Sequence, residues 1–122
     1  MKKILLVEDD LLLSKMYKIK LGVAGYEVLT APNGEDGIEK MKSWKPDLVI
    51  MDLMMPKLNG MQALEKAKAD PSIKDIPVVL LTNLSGGLDE KTAISKGALS
   101  YIVKSDFTPA EIIEKIQALL KT

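Results

Sequence analysis

Short apolar runs recur along this chain at Ile4 to Val7, Tyr26 to Ala31, Leu48 to Met51, Pro77 to Leu81 and Leu99 to Val103. Most are apolar at consecutive rather than alternate positions, a pattern a strand tolerates when both of its faces are covered. The segments between them have helical period and legible ends. Thr108, Pro109 and Glu111 spell a capping box with proline at the first helical position, and Ile112, Ile113, Ile116, Leu119 and Leu120 form one apolar stripe. A first helix follows Asp10 and stops near Gly22 to Gly25, with Leu12, Leu13, Met16 and Leu21 on its stripe. Asn33 caps a second helix ending near Trp44, which packs at the core edge, and a third runs from about Asn59 to Ala69, before the Asp70-Pro71 break. Ser85 caps a fourth that finishes at Gly97 in the left-handed conformation, and Gly86 and Gly87 weaken its start. Strands alternating with helices in this way predict an α/β fold, a parallel five-stranded sheet sandwiched between helices, with residues 1–122 forming one domain.

Composition narrows the chemistry. All 17 basic residues are lysines, balanced by 17 acids, so no guanidinium fork is present to grip phosphate or a base edge, and nucleic acid is a poor partner for this domain. Cysteine and histidine are both absent, which excludes disulfides, thiol nucleophiles and imidazole acid–base chemistry. The start, MKKILLVEDD, reaches acids after four apolar residues, too soon for a signal sequence or a membrane span. A soluble, cytoplasmic domain that makes no membrane contact is the expectation.

In open parallel sheets ligands gather beyond the carboxyl ends of the strands. Glu8, Asp9 and Asp10 follow the first predicted strand, Asp52 follows the third, Thr82 ends the fourth and Lys104 follows the fifth. Pro32 and Asn33, after the second, read as turn and cap. Singly, each of these residues has an ordinary explanation: Asp10 as an N-cap, Thr82 as a β-branched strand residue, Lys104 as a solvated lysine and Asp52 as the start of a turn. Together at one rim they have a common cause. Three carboxylates, Glu8, Asp9 and Asp52, repel one another unless a cation intervenes, and a divalent metal plus Lys104 neutralises the charge. Hard oxygen ligands favour Mg²⁺. With the metal, Lys104 and the Thr82 hydroxyl available to the equatorial oxygens, Asp52 is placed to attack a phosphoryl group in line. The turn from Pro56 to Gly60 exposes it.

ILLVEDD, VIMDLMMPKLNG, LLTN and SYIVK, in this order and spacing, resemble the motifs of bacterial two-component response-regulator receiver domains of the CheY-like type, across essentially the whole chain. The resemblance implies a flavodoxin-like sheet of order 2-1-3-4-5, Asp52 as phosphoacceptor, Lys104 and Thr82 as catalytic partners, and Mg²⁺ held by Glu8, Asp9, Asp52 and the Met54 backbone carbonyl. It further implies Thr82 and Tyr101 as switch residues, a sensor histidine kinase or phosphotransfer protein as donor, and an output partner, not identifiable from sequence, reached through the fourth helix, fifth strand and fifth helix. The protein is then a signalling switch that catalyses its own phosphorylation and dephosphorylation, as a monomer or a phosphorylation-dependent homodimer. The sequence is equally compatible with a receiver belonging to a larger hybrid kinase or transcription factor.

The chain departs from the family pattern in places. Ser105 stands where proline usually follows the lysine, which leaves the isomer of the Lys104–Ser105 bond open, and Asn83 stands where a small residue is usual. Met54 and Leu84 are apolar at two positions that tune dephosphorylation, so a long-lived phosphoryl state is expected. A haloacid-dehalogenase-like phosphatase fits less well, because Met54 stands where that family has a second Asp. A flavin-binding domain of this fold fits poorly too, because acids line the first loop and would repel a phosphate.

Overall fold

The computed structural model describes residues 1–83 and 87–121. Five strands, β1 (Lys3–Val7), β2 (Glu27–Ala31), β3 (Leu48–Met51), β4 (Val78–Thr82) and β5 (Ser100–Val103), alternate with helices α1 (Leu11–Val23), α2 (Gly34–Trp44), α3 (Gly60–Ala69), α4 (Gly87–Ser95) and α5 (Pro109–Leu120). A short 3₁₀ turn, Lys104–Asp106, leads from β5 toward α5. All strand pairings are parallel, in the order β2-β1-β3-β4-β5, as the family resemblance implies.

Side chains alternate between two cores. Leu5, Val7, Val49, Met51, Val78, Leu80 and Tyr101 point to the face covered by α2, α3 and α4. Ile4, Leu6, Leu48, Ile50, Val79, Leu81 and Ile102 point to the face covered by α1 and α5. This explains why the strands read as unbroken apolar runs. The chain moves from β1 outward to β2 and then in the opposite direction through β3, β4 and β5, so right-handed crossovers place helices on opposite faces. The reversal lies between β1 and β3, and a crevice opens at their carboxyl ends. Glu8, Asp9 and Asp52 follow those two strands.

The helix ends follow their predicted signals closely. Asp10 accepts from the Leu12 and Leu13 amides, Asn33 from Asp36, and both Asn59–Gln62 and Thr108–Glu111 close capping boxes. Gly25 and Gly97 take φ of 103° and 105°, terminating α1 and α4 in a conformation glycine adopts without strain. The predicted Ser85 cap and Gly86 lie outside the described residues, as does Leu84.

One stripe differs from expectation. Leu12 is 83% exposed, whereas Tyr17 is buried and Leu13 and Met16 are partly buried on the core beside Leu21. Three leucines in succession cannot share one helical face, and the buried line runs Leu13, Tyr17, Leu21, at intervals of one turn. Trp44 packs at the edge of the other core as expected, with the Lys3 ammonium 5.1 Å from its ring centroid.

Candidate functional site

Each charged group at the rim is held by a rigid element. Backbone bonds from Glu8 N–H to the Ala31 carbonyl and from Asp52 N–H to the Val7 carbonyl, both 3.0 Å, extend the sheet one residue past β1 and β3. These bonds fix Glu8 and Asp52 as neighbours. One carboxylate oxygen from each of Glu8, Asp9 and Asp52 lies within 4.8 Å of the others. Lys104, arriving from the end of β5, places its ammonium 2.8 Å from Glu8 Oε1 and 3.1 Å from Asp52 Oδ2. Met54 N–H donates to Asp52 Oδ1 at 3.0 Å, and Asp10 N–H to Glu8 Oε2 at 3.2 Å. Every predicted member of the acidic cluster, and Lys104, is therefore at one place. Thr82, fully buried, ends β4 opposite Val103, the residue before Lys104. Tyr101 is buried in the core under α4; burial raises its phenol pKa, as do the nearby charges of Asp89 and Glu90. The Lys104–Ser105 peptide is trans.

The electrostatics show strain that a cation would relieve. Glu8 is only 4% exposed, and its pKa is pushed up to about 7, first by burial and then by the Asp52 charge, against the opposing Lys104 and Asp10 hydrogen bonds. Burial alone would lower the Lys104 pKa, but its hydrogen bond to Glu8 and the charges of Asp52 and Glu8 together outweigh that, and the ammonium is held above its usual value. One lysine hydrogen-bonds both carboxylates but carries a single positive charge, which cannot neutralise both. Three converging oxygen donors with excess negative charge, open to solvent on the Asp9 side, fit a hard divalent cation with water in its remaining positions.

A stability prediction follows. Between the ordinary glutamate pKa and about 7, the folded state holds a proton on Glu8 that the unfolded chain has released. Stability from this group is thus present at low pH and lost as pH rises through that window, by roughly 2 to 3 kcal/mol in total. Melting in EDTA at pH 5 and pH 8 is expected to show the parent losing stability relative to Glu8→Gln, with Mg²⁺ at pH 8 removing most of the difference. Parallel curves for the two proteins would contradict it.

Asp10 faces a different task. Its carboxylate caps α1 through Leu12 and Leu13 at 3.0 and 3.1 Å and is not among the converging acids. Asp10→Ala is expected to lose about 1 kcal/mol of stability while retaining most of any reaction at Asp52, as chemical denaturation and labelling would show.

Tyr17 was not singled out in the sequence. It is 3% exposed and, with Leu13, Met16, Asn83, Lys104 and Phe107, lines a cleft of about 330 Å³ beside the site. Its phenol pKa is raised by burial and also feels Lys104 and Glu8. Its position one turn after Leu13 and one before Leu21 was the available signal.

Residues 4–117 match the family model of the response regulator receiver domain. A probable transcriptional regulator, ycf27, of Cyanophora paradoxa is 37% identical over 98% of this chain and 48% of its own length. The alkaline phosphatase synthesis transcriptional regulatory protein PhoP of Bacillus subtilis is 32% identical over 98% of this chain and 49% of its own length. Among solved structures, Vibrio cholerae chemotaxis protein CheY4 superposes with a TM-score of 0.90 at 28% identity, covering 98% of this chain and 99% of that one. The BeF3-activated N-terminal receiver domain of Klebsiella pneumoniae RstA gives 0.89 at 30% identity, covering 99% and 100%. The chain belongs to the response-regulator receiver-domain family, whose members are two-component phosphoacceptor signalling modules rather than conventional enzymes. It spans about half the length of the curated relatives it matches. Among the described residues no helix is long and apolar enough to cross a membrane.

Proposed function

We propose that residues 1–122 form a single cytoplasmic receiver domain that accepts a phosphoryl group on Asp52 from a phosphohistidine of a sensor histidine kinase or phosphotransfer protein. The observation that carries this reading is the convergence of Glu8, Asp9 and Asp52 within 4.8 Å, with Lys104 bridging Glu8 and Asp52 at the sheet's switch point. Lacking histidine, the chain serves as acceptor and not as phosphohistidine donor. Asp52 Oδ attacks phosphorus in line; the P–N bond to the donor imidazole breaks, that imidazole keeps the electron pair and takes a proton, and an acyl phosphate forms. Glu8, Asp9, Asp52 and the Met54 carbonyl would hold Mg²⁺, which when bound supplies positive charge to the phosphoryl oxygens. Lys104 leaves its carboxylate partners to meet one of those oxygens, and the Thr82 hydroxyl meets another.

The new dianionic group biases a two-state equilibrium in which Thr82 and Tyr101 move and the α4-β5-α5 surface exchanges partners. The domain itself contacts neither nucleic acid nor membrane, and works as a monomer or as a dimer formed on phosphorylation. The names of the longer relatives favour a receiver that controls a transcriptional output. The same site catalyses loss of the phosphoryl group. Met54, 62% exposed at the mouth, places an apolar side chain two residues after Asp52, so decay is expected to be slow. Replacing Met54 with Asn is expected to shorten the lifetime several-fold, as phosphoryl decay followed by mass would show.

The experiment for the reading as a whole is intact mass before and after acetyl phosphate, with Mg²⁺ and with EDTA. One added phosphoryl group in Mg²⁺ and none in EDTA is expected. Labelling unaffected by EDTA would contradict it.

A further inference from the structure

Between Asp52 and α3 the chain follows a path held by few backbone bonds. Leu58 N–H donates to the Pro56 carbonyl at 2.8 Å, Gly60 N–H to the Leu53 carbonyl at 3.0 Å, and Lys57 takes a φ of 67°. Since Met54 N–H grips Asp52 Oδ1, the course of this loop directs the reacting carboxylate. Two glycines on different helices close on it. A methyl at Gly60 would run into the Asp52 carbonyl oxygen and stand 2.8 Å from Leu53 Cα. A methyl at Gly34, the first residue of α2, would lie 2.7 Å from the Leu58 carbonyl oxygen and 3.2 Å from Leu58 Cβ and Cδ2.

Gly34 does not have a left-handed φ, so its missing side chain answers a demand for space and not for backbone freedom. Nor can α2 draw back easily. Three residues on, Gly37 seats the helix on β1 so closely that a Cβ there would be 2.9 Å from Val7 Cγ2. At its start the loop is confined by Gly60, which closes on Asp52 and Leu53. Close-packed surroundings pass a displacement on rather than absorb it.

We propose that Gly34, which carries no functional group and lies at no acidic strand end, is a positioning residue of the site. Its bare Cα lets the Leu58 carbonyl settle against α2, and this holds the Met54 amide and the Asp52 carboxylate turned toward Glu8 and Asp9. The inference rests on the phosphoacceptor reading above.

The test is Gly34→Ala, with Gly22→Ala as control, since a Cβ at Gly22 meets nothing within 4 Å. Mg²⁺ titrations are followed by the Met54 amide signal in the ¹H–¹⁵N spectrum, alongside initial labelling rates at limiting and saturating Mg²⁺. For Gly34→Ala the Met54 signal is expected to be displaced before any metal is added, and the Mg²⁺ midpoint to rise by about fivefold or more. Labelling should fall most at limiting Mg²⁺. The control should match the parent. If Gly34→Ala does not fold, Leu58→Ala, which keeps the carbonyl but removes the side chain that presses the loop against Gly34, tests the loop's seat on α2 from the other side and is expected to raise the midpoint about twofold to threefold. A Gly34→Ala protein with lowered melting temperature but parental Met54 signal and midpoint overturns the proposal, as does a parental midpoint in Leu58→Ala where Gly34→Ala is unfolded. A parent that neither titrates nor labels instead overturns the phosphoacceptor reading.

Discussion

Asp52→Asn protein incubated with acetyl phosphate and Mg²⁺ is expected to keep its unmodified mass while the parent gains one phosphoryl group. The amide is nearly isosteric, so the fold and the loop to α3 remain, but its oxygen is neutral and a poor nucleophile. Glu8, the other acid on Lys104, is buried and hydrogen-bonded to Lys104 and the Asp10 amide, so it is not free to attack in its place. A second signature accompanies the loss of labelling. The Asp52 charge is one of the causes that raise the Glu8 pKa, so in Asp52→Asn the Glu8-linked fall in stability should end at lower pH and be smaller than in the parent. Labelling equal to the parent's would remove Asp52 from the acceptor role.

Lys104→Met is expected to be nearly as damaging, for a different reason. The ammonium lies between two largely buried carboxylates, with side-chain exposures of 9% for Lys104, 4% for Glu8 and 11% for Asp52. Taking one partner from a buried ion pair costs about 3 to 5 kcal/mol when the other charge is stranded. Here Glu8 can take up a proton, so the loss should be about 1 to 3 kcal/mol, larger at pH 8 than at pH 5. Mg²⁺ should recover part of it by replacing the missing positive charge. Labelling should not recover in parallel. Removing one preorganised donor to developing charge costs about 100- to 1,000-fold in rate, and a metal held by Glu8, Asp9 and Asp52 would not supply the hydrogen-bond donor that Lys104 gives. Denaturation with and without Mg²⁺, read beside labelling rates, separates the two effects. A Lys104→Met protein that labels at the parental rate once stabilised by Mg²⁺ would reduce Lys104 to a structural role.

The strands were legible in the sequence because the sheet is covered on both faces, so Ile4 to Val7 and Leu48 to Met51 needed no alternation to interpret. The acids were legible because Glu8 and Asp52 stand at the first polar position after such a run, with Asp9 next to Glu8, and a parallel sheet aligns those positions at one rim. Caps at Asp10, Asn33 and Thr108 are local and were read as such, whereas Asn59 was read only as the start of a helix and its capping box came from the structure. Lys104 and Glu8 are separated by 96 positions, so only topology could pair them, and their distance and shared burial had to come from the structure. On α1, Leu13, Met16 and Leu21 were placed correctly but Leu12 was not, because Leu11, Leu12 and Leu13 carry no period among themselves. Gly34 carried no signal in the sequence, and Gly60 was read only as the end of the turn that exposes Asp52. What they accommodate is a carbonyl from elsewhere in the chain, a tertiary fact without a local signal.

The anionic cluster and the phosphoryl site are claimed to be one device, and a structure of the protein with Mg²⁺ and beryllofluoride tests that directly. Expected are BeF3 bonded to an Asp52 carboxylate oxygen, an ion against Asp9, Asp52 and the Glu8 side, and fluorides contacted by Lys104 Nζ and the Thr82 hydroxyl. An unmodified Asp52, with the three carboxylates turned apart and no ion between them, would contradict it.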